Sequence, residues 1–342
     1  MMPPGMPPMM PPMYFPPPKP PRGFARAVFT TLATTVLAFS LGLNFYYLAM
    51  EGLLSGRGTQ SVTVTTGNSK EKIAVVPVRG LVAQNLVSQV EQFVVRAEQD
   101  NDVKAVILEI DTPGGSVWAA DAIYHRLLQL KSRRNVPLAV SMGGLATSGG
   151  YYIACAADHL VATPTTLTGN IGVIMPRFNV SAMTERWGIT ENTLTAPRSG
   201  YKNAGSPFRK PDEKDNAYLQ GLIDHAYREF TGVVSQGRGK KVNIATVADG
   251  RVFTGRDAHA AGLVDDVGHL ETAVRWVSQQ AGLKSPMVIR YRPPPTLLGA
   301  LGGAEGADGA AQLNINGVKF QLSGHLLDEL SSPRLLYLWR GQ

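Results

Sequence analysis

The stretch Val103 to Gly115 reads VKAVILEIDTPGG, and its reading decides the fold. From Val103 to Asp111 it is almost unbroken aliphatic and β-branched residues, the composition of a strand buried on both faces, and such strands belong to parallel sheets. The TPGG that follows is a sharp turn. From about Ser116 to Lys131, Ala119, Ile123, Leu127 and Leu130 then recur at helical spacing. Working outward, Lys72 to Val82 (KIAVVPVRGLV) predicts a buried strand, Asn85 to Gln99 an amphipathic helix, and Pro137 to Met142 a third strand. Strand and helix alternate with short connections, which implies right-handed crossovers around a largely parallel sheet and an α/β fold.

That third strand delivers the chain to Ala146–Ala157, ATSGGYYIACAA. A serine followed by two glycines where extended chain turns into helix has a chemical use. The glycines let backbone approach closely, and the first amides of a helix are unpaired and available to a developing oxyanion. Ser148 is therefore a candidate nucleophile, although serine and glycine are also ordinary turn formers. Further along, Asp158 to Thr168 predicts an extended run, Asn179 to Trp187 a short helix, and Ile189 to Thr195 a strand. A loop, APRSGYKNAGSPFRK, leads to a long helix from about Pro211 to Gln236 with Pro211 near its first position, and RVFTG and Pro286 to Tyr291 predict strands.

The ends of the chain differ in kind from its middle. Residues 1–26 are rich in proline and methionine and predict a disordered tail, since proline lacks the donor for helix or sheet. Residues 27–50 carry no charge and are long enough to span a bilayer. Lys19, Arg22 and Arg26 on the N-terminal side place that end in the cytoplasm, so the rest of the chain is expected to face the periplasm or cell exterior. Residues 51–71 read as a flexible tether, 72–292 as the main domain, 293–311 as a Gly/Ala/Pro-rich linker, and 312–342 as a hairpin turning at Asn316-Gly317 plus an apolar docking segment. The net charge of +7 is not gathered into a basic stripe interleaved with aromatics, which speaks against nucleic-acid binding. Cys155 is the only cysteine of the 342 residues, so neither an intrachain disulfide nor a multi-cysteine metal site is on offer.

A serine hydroxyl needs a base. None of the six histidines (His125, His159, His225, His259, His269, His325) lies in a loop that also carries a glycine pair and an acidic partner. A Ser-His-Asp arrangement stays open all the same, because its members need not be close in the chain. The other candidate is Lys202, in a Gly/Pro-rich loop away from most other charges. A lysine acts as a base near neutral pH only where burial or nearby positive charge disfavours its charged form.

Four motifs in register now match something specific. DTPGG at 111–115, TSGGYYIACAAD at 147–158, ATPTTLTGNIGV at 162–173 and GYKNAGSP at 200–207 resemble the signal peptide peptidase A family of membrane-bound serine peptidases, over about residues 72–284. The resemblance implies a Clp protease/crotonase-like α/β fold after a single transmembrane helix, and a Ser-Lys dyad without histidine. Ser148 matches the nucleophile, Lys202 the general base, and the amide of Gly149 with one from Gly114 or Gly115 the oxyanion hole. Asn170 stands where the family usually has a serine that helps hold the lysine amine. The resemblance further implies no cofactor and no metal, hydrophobic peptide substrates such as remnant leader peptides, and a homo-oligomer anchored in lipid through residues 27–50. Two alternatives are a related peptidase acting on a membrane protein, as in the stomatin-associated branch, and a non-catalytic membrane scaffold of the same fold.

Overall fold

The computed structural model describes residues 22–54, 59–293, 310–315, 318–323 and 336–338. Two units divide it, one holding the N-terminal helix and the other the chain from Gln60 onward. The helix, α1 (Arg22–Leu54), contains a 21-residue segment, Ala27–Tyr47, of mean hydropathy 1.6. It is the one helix among the described residues long and apolar enough to cross a membrane. Several of its polar side chains bond within the helix: Thr31 Oγ1 donates to Ala27 O (2.9 Å), Thr35 Oγ1 to Thr31 O (2.8 Å) and Asn44 Nδ2 to Ser40 O (2.7 Å). A helix in hydrocarbon has no water to satisfy such groups.

In the second unit β1 (Gln60–Thr65), β2 (Asn68–Arg79), α2 (Gln84–Gln99), β3 (Val103–Thr112), β4 (Gly114–Ser116), α3 (Val117–Arg134), β5 (Leu138–Thr147), α4 (Gly149–Ala154), β6 (His159–Ala162) and β7 (Leu167–Gly169) follow in order. Then come α5 (Ser181–Arg186), α6 (Glu213–Arg238), α7 (Ile244–Val247), β8 (Val252–Thr254), α8 (Gly255–Ala260), β9 (Asp266–Val267), α9 (Leu270–Gln280) and β10 (Pro286–Arg292). A hairpin of β11 (Ala310–Ile315) and β12 (Val318–Ser323) pairs Ile315 with Val318, its turn lying outside the described residues, and β13 (Leu336–Leu338) ends the description.

The main sheet runs β1-β10-β2-β3-β5-β6-β9, and every pairing along it is parallel except that of β1 on β10. This is the mixed α/β architecture, with a largely parallel central sheet, that the alternation of strands and helices predicts. Both faces of the sheet are covered. Alternate residues point to opposite sides, so Val106, Leu108 and Ile110 of β3 join a core with α2, α3, α4 and α6, while Ala105 and Ile107 pack with Ala273 and Val277 of α9. That double burial is why Val103–Asp111 reads as a continuous apolar run.

Three expectations give way. Within the supposed tether, Gln60–Thr65 is an edge strand on β10, as its alternating valines and threonines favour once a partner edge is present. Residues 189–195 form no strand: they pair with none of the described strands, and Leu194 is 91% exposed. The long helix starts later than Pro211: Asp212 is its cap, accepting from Lys214 N at 2.9 Å.

The C-terminal end of α6 is tied to the loop before β9 by a buried ion pair. Arg238, 3% exposed, donates Nη1 to Asp265 Oδ2 (2.8 Å) and Nη2 to Asp265 Oδ1 (2.9 Å). Burial pushes the Asp265 carboxyl up, but hydrogen bonds from Arg238, Lys241 and the Leu160 amide outweigh it and hold the group well below the usual carboxylate range. A depressed folded pKa means a stabilising contribution that is complete above the ordinary aspartate value of about 3.9 and is lost as pH falls below it. Asp265→Asn, which leaves the guanidinium uncompensated, is expected to cost about 3 kcal/mol at pH 7. In thermal unfolding the gap between wild type and variant should narrow as pH falls below about 4; a gap unchanged with pH would contradict the assignment.

Candidate active site

Strand β5 ends at Thr147, and the next residue turns the chain sharply into α4. Ser148 has φ 54° and ψ −113°, outside the regions open to an unstrained L-residue, a conformation that costs about 1–3 kcal/mol. Two hydrogen bonds hold it there: its amide donates to Gly169 O (2.8 Å) and its carbonyl accepts from Tyr152 N (2.9 Å). The side chain sits at the C-terminal edge of the sheet, where parallel α/β folds gather their chemistry. Ser148 is 1% exposed, and among the described residues its hydroxyl has no hydrogen-bond partner. The SGG sequence is needed for packing as well as for the turn. A Cβ at Gly150 would stand 2.6 Å from Thr112 Cγ2, so α4 can lie this close to β3 only without one.

Beside the serine runs β4. One edge of it is fixed to Val82, whose amide donates to Gly114 O (2.8 Å) and whose carbonyl accepts from Ser116 N (2.8 Å). The Gly114 amide donates instead to Thr112 Oγ1 (3.0 Å), and the Thr112 hydroxyl donates to Gly80 O. Of the glycine pair expected to supply an oxyanion donor, Gly114 is therefore engaged elsewhere. Gly115 has its amide on the open edge. An ideal Cβ on Gly149 would lie 3.3 Å from Gly115 N, so the amide-bearing backbones of Gly149 and Gly115 are immediate neighbours. Thr112, which sets this arrangement by occupying the Gly114 amide, was missed in the sequence; its only signal was its place in the DTPGG turn.

The open edge carries a strand. Leu336, Tyr337 and Leu338 of β13 lie antiparallel opposite Ser116, Gly115 and Gly114. On its other side, Leu336 exchanges two hydrogen bonds with Ile174 (2.9 and 3.1 Å). Antiparallel pairing alternates hydrogen-bonded and non-bonded pairs, so with Leu336 turned to Ile174, the N–H and C=O of Tyr337 face Gly115. The groove between β4 and Ile174 thus takes an extended chain by strand addition on both edges. Its side pocket is aromatic: the Tyr337 ring, fully buried, lies 5.2 Å from Tyr152 and 4.5 Å from Phe230. At the Leu338 end a cavity of about 410 Å3 opens, lined by Asn170, Ile174, Tyr227, Asp249 and Leu338 among others.

The remaining candidates are placed as follows. Asn170, at φ 53°, follows the glycine that holds the Ser148 amide; its Nδ2 donates to Gly250 O, and its side-chain carbonyl is left to accept. Lys202 sits on the short 3-10 turn Gly200–Asn203, is exposed, and has no side-chain partner among the described residues. The structure does not bring it to Ser148. Its loop is anchored through Glu191, which accepts from Asn203 (2.8 Å) and Ser206, and the surface around it exposes Phe178, Trp187, Leu194 and Phe208. Of the histidines, His125, His225, His259 and His269 are exposed, and His325 lies outside the described residues. His159 pairs with Asp266 (2.9 Å) and stacks on Trp276 (4.7 Å) beside Ala139. Ala139 is nine residues before the serine, about 30 Å along extended chain.

Residues 131–284 match the peptidase family S49, and residues 72–185 match the NfeD1b N-terminal domain. An Enterococcus faecium protein with the provisional name signal peptide peptidase SppA is 33% identical over 250 residues, 68% of this chain and 71% of that protein. The chloroplastic serine protease SPPA of Arabidopsis thaliana is 32% identical over 82% of this chain and 40% of its own length. Protease 4 of Haemophilus influenzae is 34% identical over 65% of this chain and 37% of its own length. The chain thus spans less than half of the latter two relatives.

Proposed function

Because the chain belongs to peptidase family S49 and is a serine peptidase, we propose that Ser148 is its nucleophile, with the amides of Gly149 and Gly115 as oxyanion donors and Lys202 as general base. The observation that carries this reading is the held, positive-φ turn that sets Ser148 beside two adjacent glycine amides at the end of β5. Catalytic serines on strand-to-helix turns use the same device to present the hydroxyl to a substrate carbonyl.

Lys202 arrives from a neighbouring copy in a homo-oligomer. Ser148 is nearly buried and has no base beside it among the described residues, while Lys202 rides on a loop whose surroundings expose large apolar side chains. Covering that surface with a second copy removes water from the lysine and favours its neutral amine. Its Nζ then takes the Ser148 proton, Oγ attacks the peptide carbonyl carbon, and the oxyanion forms between Gly149 and Gly115. The same amine returns the proton to the leaving nitrogen, and a water it deprotonates hydrolyses the ester. The Asn170 side-chain carbonyl is placed to orient that amine.

The substrates we propose are hydrophobic peptides at a membrane face, remnant signal peptides foremost. An apolar, two-edged groove, in a chain whose described residues include one helix long and apolar enough to cross a membrane, supports this, and the basic flank of α1 supports an extracytoplasmic peptidase unit. A serine-directed fluorophosphonate probe tests the reading: the wild-type chain should be labelled at Ser148 and the Ser148→Ala chain should not. A folded wild-type oligomer that stays unlabelled favours the non-catalytic scaffold.

A further inference from the structure

We propose that Asp249 and Arg251 are positioning residues of the peptidase site: clasped to each other, they hold Asn170 in place beside Ser148 and give the arriving Lys202 amine a wall without net charge. This rests on the roles assigned to Ser148 and Lys202 above.

The clasp is a closed ring over three residues. Arg251 donates Nε to Asp249 Oδ1 (2.9 Å) and Oδ2 (2.7 Å), its Nη2 donates to Oδ2 again, and its amide donates to Oδ1 (3.1 Å). Between them Gly250, at φ 84°, makes the turn. Both side chains are exposed, and an ion pair in that setting adds little to stability.

What the ring does is aim backbone. With the turn closed, Gly250 O accepts from Asn170 Nδ2 (2.5 Å), Arg251 O accepts from the Asn170 amide (2.8 Å), and the Gly250 amide donates to Ile171 O (3.1 Å). Tyr227 Oη ties down the residue before the ring, donating to Ala248 O (2.5 Å). Asn170 in turn follows Gly169, whose carbonyl holds the Ser148 amide. Gly169 packs so closely on Phe253 that a Cβ would stand 2.7 Å from the ring. One short segment, 248–253, thus sets both the turn of the nucleophile and the side chain of Asn170.

The other half of the proposal is electrostatic. Because β4 closes one side of Ser148, an amine that the Asn170 side-chain carbonyl orients comes in by the cavity of about 410 Å3 that Asn170 lines. Among the described residues lining that cavity, Asp249 is the one charged side chain. From α6 it receives Tyr227, whose hydroxyl is engaged, while Lys202 brings with it Arg198 and Lys214, the latter 5.0 Å from the Tyr201 ring. Hydrogen bonds from the Arg251 side chain, and then from its amide, hold the Asp249 carboxyl below the usual range, so it is ionised wherever a lysine titrates. A carboxylate on the wall of a cavity this size lies within about 10 Å, a Debye length at 0.1 M, of an amine inside it. Left alone it would favour the ammonium and so remove the base. Arg251 cancels it.

The pH dependence of kcat/KM for a quenched hydrophobic peptide, measured on the full chain in detergent at low salt, tests both halves. Arg251→Gln leaves the carboxylate uncompensated, so the acid limb should move up by about one pH unit and activity below it should fall about tenfold. Asp249→Asn leaves the guanidinium and should move the limb down. Asp249→Asn/Arg251→Gln should return it to the wild-type position. Arg251→Lys keeps the charge and loses the two-pronged clasp: the limb should stay while kcat falls about tenfold. That loss should vanish in an Asn170→Gly background, where glycine accepts φ 53° without strain. A pair that merely shaped the loop would lower the rate and leave the limb fixed. Limbs that move the same way in the two single variants, or not at all, therefore overturn the neutral wall, and an Arg251→Lys loss undiminished in Asn170→Gly overturns the clasp. Lys202→Ala separates this from the reading beneath it. If that chain stays active, the base lies elsewhere and the inference falls with the role given to Lys202; if it is inactive while the limbs stay put, the inference falls alone.

Discussion

Ser148→Ala is expected to lower peptide hydrolysis by roughly 10^4-fold or more, since removing the nucleophile leaves only what binding and the oxyanion donors supply. The fold should survive. Alanine keeps a Cβ in the same backbone conformation, and the hydroxyl it removes has no partner among the described residues. Glycine at the same position separates chemistry from strain. At φ 54° it relieves the steric conflict, so Ser148→Gly should be equally inactive but about 1 kcal/mol more stable than Ser148→Ala. Thermal unfolding of the two variants, beside a rate measurement on each, reads both effects at once. Hydrolysis above about 1% of wild type in either would remove Ser148 from the role of nucleophile, and equal stabilities would show that the turn is unstrained.

Much of this was legible in the chain because it depends on local pattern. Val103–Asp111 announces a doubly buried parallel strand, and both its faces are covered by helices. A serine followed by Gly-Gly after the next strand marks a tight turn with free amides, and Ser148 lies on one. What was not legible depends on contacts distant in sequence. Either glycine of the TPGG turn could have offered its amide; the Thr112 hydroxyl decides, by taking the amide of Gly114. The valines and threonines of β1 have strand propensity, but only the edge of β10, more than 200 residues away, turns that propensity into structure. Leu-Leu-Tyr-Leu near the C-terminus reads as an apolar segment that docks somewhere, and composition does not say that its seat is the groove beside Gly115. The lysine is the sharpest case. Its loop is recognisable by motif, yet among the described residues Lys202 is exposed and Ser148 has no base beside it.

That gap yields the second large effect. Lys202→Ala is expected to reduce hydrolysis by about 10^3- to 10^4-fold, the scale of a lost general base, without disturbing the fold, because the exposed amine has no partner to lose among the described residues. The decisive measurement mixes the two inactive proteins. A site that takes Ser148 from one copy and Lys202 from the next is intact wherever a Lys202→Ala chain supplies the serine and a Ser148→Ala chain the lysine. Random assembly of equal amounts makes about one site in four intact, so close to a quarter of wild-type activity should return after dissociation and reassembly. A dyad contained within one chain has no such route: every chain in the mixture carries a defect in its own site, and activity would stay at the level of the separate variants. Recovery also requires that the variants meet, so mixing under conditions that keep each oligomer closed should restore nothing. Recovery with exchange and none without it would locate the base across a subunit boundary, and would account for why the face around Lys202 exposes Trp187, Leu194 and Phe208 in the single chain.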